Sequence, residues 1–173
     1  MTSGIPASVK MGNNTLLSSP TTTHDTSASR TSPSYSPIYV AATRQHVGKT
    51  TTSLALLNGL MERFPRNRVG FIKPVGQQSV VVSMEDEGTA TSRKIMVDKD
   101  AALVKQYFHL NNVSYENISP VLIPAGYTRK FLDGKITSKD QMACIQNAFQ
   151  TIQDCSDIVL CEGTGHVAVG SIG

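Results

Sequence analysis

Gly48, Lys49 and Thr50 stand together in the stretch YVAATRQHVGKTTTSLALLNGL, Tyr39 to Leu60. Those residue types in that order suit the grip on a phosphate chain. Backbone N–H groups at a helix N-terminus converge on the anion, glycine lets the backbone come close, lysine carries charge to the outer phosphates, and a hydroxyl can meet a magnesium ion. The strict phosphate-loop pattern wants a further glycine at the position held here by Thr43. Context therefore carries the reading: the triplet lies between a short apolar, β-like run, IYVAAT, and a helix-like run. The loop Gln45, His46, Val47, Gly48, Lys49, Thr50 and Thr51 is expected to hold a nucleotide, with Lys49 also acting in catalysis. The plainer alternative is a helix start capped by Thr50, with Lys49 in solvent.

A magnesium nucleotide needs acids as well. DIVLCEG ends on Glu162, where a strand would emerge at its C-terminal edge, and acids there lie beside the ligand crevice of parallel sheets. On its own such a residue is as well explained by a strand-end glutamate in solvent. Asp98 and Asp100 open the run DKDAALV. Acids at a helix start cap it and favour its dipole, and Asp98 is read as the cap. Lys73 ends a second strand just before Pro74, where it could reach a phosphate or a substrate carboxylate, or simply lie on the surface.

The elements that must position these groups follow from periodicity. TTTSLALLNGLMERF places Leu54, Leu57, Leu60, Met61 and Phe64 at helical spacing. RVGFIKPV reads as a strand ended by Pro74, residues 76–97 as a long loop, DKDAALVKQYF as a short helix and PVLIP as a short extended piece. TSKDQMACIQNAFQTIQDCS puts Met142, Ile145, Phe149 and Ile152 on one helical face, with Ser138 and Gln141 as a capping box. Apolar strands alternating with helices predict an α/β fold: a parallel β-sheet covered on both faces, the three-layer αβα arrangement.

The chain has 173 residues, a net charge of +3 and 39% apolar content. That is enough for one domain with a buried core. Residues 1–37 are rich in Ser and Thr, with Pro20, Pro33 and Pro37 and few large apolar side chains. They are expected to be a disordered tail before a domain spanning 38–173. The tail is only weakly like a transit peptide, so a cytoplasmic location is expected, with organelle import a minor alternative. Lysines and arginines are scattered, which argues against nucleic acid as a partner, and no apolar run is long enough for a membrane span. The three cysteines, Cys144, Cys155 and Cys161, have no metal-ligand spacing and read as buried or half-buried free thiols in a reducing compartment.

Taken in order, ATRQHVGKTTTS, FIKPVGQ, VDKDAALV, SPVLIPAGYTRKFLDGKI and LCEGTGH resemble the dethiobiotin synthetase-like P-loop NTPase family, which includes the N-terminal domains attached to phosphotransacetylases. The resemblance implies ATP and magnesium as cofactors. It gives Lys49 the outer phosphates, Thr50, Asp100 and Glu162 the metal, and Lys73 a catalytic place beside the transferred phosphoryl group and a small carboxylate or carbamate substrate. In dethiobiotin synthetase a carbamate formed from a diamine and carbon dioxide attacks the terminal phosphate of ATP. Two stretches depart from that enzyme: GTGHVAVGSIG after Glu162, and Arg44, Gln45 and His46 within the loop. Both fall where its substrate would bind and are closer to the phosphotransacetylase-associated branch, so a nucleotide-sensing domain is the alternative. His46 and His166 are candidate substrate contacts, against the plainer reading of exposed loop histidines.

In that family further strands follow the one ending at Glu162, completing the sheet and contacting the purine. The chain is therefore expected to be a truncated domain, an inactive fragment being a further alternative, with the strand from Asp157 to Glu162 near a sheet edge. An unpaired apolar edge invites pairing with another chain, which puts a homodimer among the expected partners.

Overall fold

Residues 35–44, 47–85 and 92–164 are described by a computed structural model of the chain. The expected tail falls almost wholly outside them, as do Gln45, His46 and His166. Tyr35 already belongs to the folded domain: its N–H donates to Asp157 O at 3.0 Å and its ring meets Phe64 edge-on, centroids 5.2 Å apart.

The fold is α/β. β1 (Ile38–Val40) leads through the loop into α1 (Lys49–Met61), then β2 (Val69–Ile72). β3 (Val75–Gly76), β4 (Ser79–Glu85) and β5 (Ser92–Asp98) follow, then α2 (Lys99–Phe108), α3 (Tyr115–Ile118), β6 (Val121–Leu122), α4 (Tyr127–Leu132), α5 (Ser138–Asp154) and β7 (Ile158–Glu162). The main sheet is parallel in the order β1-β7-β2, with β3 and β6 forming a second parallel pair. α1 packs on β1 and β7, and α5 on β2 and β7. Every residue of β2 and β7 is buried, which is why both read as unbroken apolar runs rather than alternating ones.

Several expectations need correction. The strand expected near an edge, β7, lies between β1 and β2 among the described residues. The crossover from β1 through α1 to β2 leaves a strand-wide gap, and β7, buried along its whole length, fills it. Most of the stretch 76–97 expected as a loop is strand among the described residues. β4 and β5 form an antiparallel hairpin in continuous register from Ser79↔Asp98 to Glu85↔Ser92. Val80–Val82 and Ile95–Val97 carry the strand preference, which the polar residues between them obscured. The capping box on α5 is one residue earlier than read. Thr137 Oγ1 accepts from Asp140 N at 3.2 Å. Thr137 N donates to Asp140 Oδ2 at 3.2 Å. The Thr137 hydroxyl and backbone together hold the Asp140 carboxyl below its ordinary pKa. Met142 is exposed; α5 buries Ala148 and Ile152, with Ile145 and Phe149 half-buried. The helices α3 and α4 have no counterpart in the sequence reading, both being too short for periodicity to register.

The register brings the chemistry together. Val40 pairs with Glu162 and Ile72 with Cys161. Glu162 thus emerges beside the start of the phosphate loop, and Lys73, the residue after Ile72, lies alongside it. Arg68 and Asp157 fix that register at the opposite end, through an ion pair and a backbone bond from Asp157 N to Arg68 O at 2.6 Å. α2 is held at both termini. Asp98 caps its start, and Lys105 Nζ donates to Leu110 O at 2.7 Å and Val113 O at 2.6 Å beyond its end. No helix among the described residues is long and apolar enough to cross a membrane.

The three cysteines are free, with Cys155 half-buried and Cys161 buried as expected and Cys144 exposed instead, on the solvent side of α5. Burial pushes the Cys161 thiol up to about 11. In a mildly alkaline buffer Cys144 should therefore be alkylated in the folded protein while Cys161 reacts only on unfolding, as peptide mapping of a timed alkylation would show. Gly70 is a point of close approach between β2 and the end of α5: a Cβ there would stand 2.6 Å from Ile152 Cγ2 and 2.7 Å from Ser156 Oγ, just beyond the helix. Gly70→Ala should cost about 1–3 kcal/mol in urea unfolding, and a variant as stable as the parent would contradict this packing.

Candidate nucleotide site

The backbone makes the first part of the site. Gly48 has φ 90° and ψ 23°. That left-handed conformation, which glycine adopts without strain, turns the chain into α1. Gly48 has no side chain to cap the helix and no acid occupies its first turn, so the leading N–H groups of α1 are suited to an anion. Thr52 N donating to Gly48 O at 2.9 Å closes the first helical turn.

Thr50 links that helix start to the acids. Its Oγ1 lies 3.2 Å from Glu162 Oε1 and 3.5 Å from Asp100 Oδ2. Glu162 is 1% exposed, and its Oε2 is buried with no hydrogen-bond partner. A buried carboxylate oxygen left orphaned costs free energy unless something positive meets it. Lys73 provides part of that charge. Its Nζ is 2.6 Å from Asp100 Oδ2, 2.9 Å from Asp98 Oδ1 and 3.7 Å from Glu162 Oε1. Burial alone would lower the Lys73 pKa, but the hydrogen bonds to Asp100 and Asp98 outweigh it, so the group lies above the ordinary lysine value and stays charged.

Asp98 does two things at once. Its Oδ1 accepts from Asp100 N at 3.0 Å and Ala101 N at 3.2 Å, the cap expected of it, and it also holds Lys73. The second contact was illegible in the sequence, because a cap's partners beyond its own helix depend on tertiary packing.

A cavity of about 550 Å³ opens over these groups. Gly48, Lys49, Thr50, Thr51, Lys73, Asp100 and Glu162 line it, as do Asp98, Gln77, Gln78, Gly163 and Thr164, which were not foreseen as site residues. Val47 is exposed and is not part of that lining. Gln77 and Gln78 lie in the connection from β3 to β4, at the carboxyl end of a parallel strand, where ligand crevices form; that position was their one available signal. The Thr164 hydroxyl donates to Val75 O and fastens the segment after β7 to β3.

Among the described residues no group of three His, Cys, Asp or Glu side chains is arranged to hold a metal, and Lys73 stands among the carboxylates. An all-oxygen set of one hydroxyl and two carboxylates nevertheless suits magnesium, which takes few protein ligands beside phosphates and water. Glu162 also has an oxygen, Oε2, that is buried with no hydrogen-bond partner, which suits a carboxylate awaiting a cation.

A family model described as an AAA domain matches residues 36–172. A search of curated proteins finds no match for the chain. With the match spanning nearly all of the folded part, and with the loop, acids and parallel sheet in place, the chain belongs to this family of nucleotide-binding P-loop NTPases, which includes dethiobiotin synthetase-like members.

Proposed function

We propose that this domain binds ATP with magnesium and transfers the terminal phosphoryl group to an oxygen of a small carboxylate or carbamate, in the manner of dethiobiotin synthetase. The observation that carries the reading is the buried Lys73 ammonium, 2.6 Å from Asp100 and 3.7 Å from Glu162, beside the Gly48–Thr50 helix start. Phosphoryl transfer asks a protein for positioning and charge neutralisation rather than covalent help.

In this reading the α1 N–H groups and Lys49 take the outer phosphates. Thr50, Asp100 and Glu162 hold magnesium, which supplies neutralisation of the phosphate charge. Lys73 stands between the transferred group and the incoming acid, where it steadies both. The acceptor oxygen bonds to phosphorus as the bridging oxygen leaves with ADP. Gln77 and Gln78 line the same cavity and offer neutral amide donors to an acidic substrate. The departures at Arg44, Gln45, His46 and the stretch after Glu162 favour a substrate other than the synthetase's diamine.

Calorimetric titration of ATP with and without magnesium tests the binding half. Lys49→Ala should weaken ATP binding roughly 10- to 100-fold, the scale of one charge-assisted hydrogen bond. Lys73→Ala should change affinity much less and act mainly on turnover, read as phosphate release in the presence of small dicarboxylates or diamines with bicarbonate. Equal affinity losses in the two variants would contradict this division of roles. Binding without turnover on any such acid would favour a nucleotide-sensing domain instead.

Asp100→Asn and Glu162→Gln should each remove most of the gain in ATP affinity that magnesium gives, while metal-free binding stays within about twofold, as both groups meet the cation and not the phosphates. An unchanged magnesium dependence in both variants would remove these residues from the metal assignment.

A further inference from the structure

The carboxylates around Lys73 are not equivalent. Asp98 is 1% exposed and spends one oxygen on three donors: Asp100 N, Ala101 N and Lys73 Nζ. Its own N–H donates to Ser119 Oγ at 3.0 Å. Behind it stands Gly76, where a Cβ would lie 2.6 Å from Asp98 Cβ and 2.8 Å from Oδ2, so the carboxylate has a wall at its back. Asp98 cannot turn toward Thr50 without uncapping α2. The Asp100 side chain is 38% exposed, and its carboxylate contacts Lys73 and Thr50; it lies in the first turn of α2 but, unlike Asp98, makes none of the cap's hydrogen bonds. It can re-aim without uncapping α2.

Three carboxylates face one ammonium, so the cluster carries two formal negative charges in excess, the charge of one divalent cation. A cation placed beside Thr50 competes with Lys73 for Asp100 and Glu162. Without another anchor the lysine would lose two of its three carboxylate partners as the site loads.

We propose that Asp98 is the positioning residue for Lys73, the one carboxylate that keeps the ammonium in place when Asp100 and Glu162 are drawn to a cation beside Thr50. The inference rests on the proposed magnesium–nucleotide reading of this site and adds to it a division between a fixed carboxylate and a mobile one.

Asp98→Asn tests it, because asparagine caps helices as well as aspartate but offers Lys73 no charge. Asp98→Ser, a second uncharged cap, serves if the first variant is unstable. The full chain, labelled with ¹⁵N at lysine Nζ, is followed by NMR with and without magnesium and a non-hydrolysable ATP analogue. In the parent a slowly exchanging Lys73 ammonium signal should persist in both states. In Asp98→Asn it should persist in the unloaded chain, where Asp100 still holds it, and vanish on loading. Protection of the Asp100 and Ala101 amides should stay within a few-fold of the parent, showing that the cap survives. The proposal is overturned if the variant keeps its ammonium signal on loading, which would leave Asp98 a cap alone, or if the parent loses its own. Calorimetry separates the premise: if the parent shows no magnesium-dependent binding of the analogue, the metal–nucleotide reading falls and this inference with it.

Discussion

One buried lysine constrains the rest of this domain. The Lys73 side chain is 9% exposed. Removing an ammonium from water costs several kcal/mol unless charge and hydrogen bonds compensate. Asp98, Asp100 and Glu162 supply that compensation from two directions, α2 and its cap on one side and β7 on the other. Thr50 completes the arrangement from α1, meeting Glu162 across 112 positions of sequence. The end of β2, the start of α2, the end of β7 and the start of α1 are thereby held to one point. Displacement of any of them would leave a buried charge partly unmatched.

Such an arrangement depends on register. A slip of β7 by one residue would turn Glu162 to the other face of the sheet and leave Lys73 short of a partner. Arg68 and Asp157 hold the far end of the β2–β7 pair, while Gly163 N donates to Val40 O at 2.9 Å at the near end of β1. The β2–β7 pair is thus fastened far from the site and β7 is tied to β1 close to it. The intervening residues are apolar and fully buried, so packing and register reinforce each other.

How much of this was legible followed the range of each signal. The glycine–lysine–threonine turn, the apolar helix after it and the acid at the end of β7 are local patterns, and they could be read directly. Asp98 was legible as a cap because capping is local, and illegible as an ion-pair partner because Lys73 ends a different element, with a whole hairpin between them. The hairpin of β4 and β5 was hidden by polar residues between two β-branched runs. The central place of β7 was hidden for a different reason: strand order is set by crossovers and not by any strand's own residues. Gln77 and Gln78 carry only the weak signal of a position after a parallel strand, and it is the cavity that singles them out.

The two halves of the cavity have opposite electrostatic preferences. The α1 N-terminus and Lys49 favour an anion. The carboxylates a few ångströms away carry excess negative charge and repel one. A bare nucleotide would satisfy the first half and be pushed away by the second; a bare cation would meet the reverse. In the proposed reading a triphosphate that arrives with a divalent cation satisfies both, with its phosphates toward the helix and the metal toward Thr50, Asp100 and Glu162. Metal and nucleotide should therefore bind with positive coupling, each strengthening the other by the same factor. Lys73 keeps the unloaded cluster tolerable, since without it three buried or half-buried carboxylates would face one another unscreened. The side chain that lets the fold bear these carboxylates is also the one the proposed reading sets beside the transferred phosphoryl group.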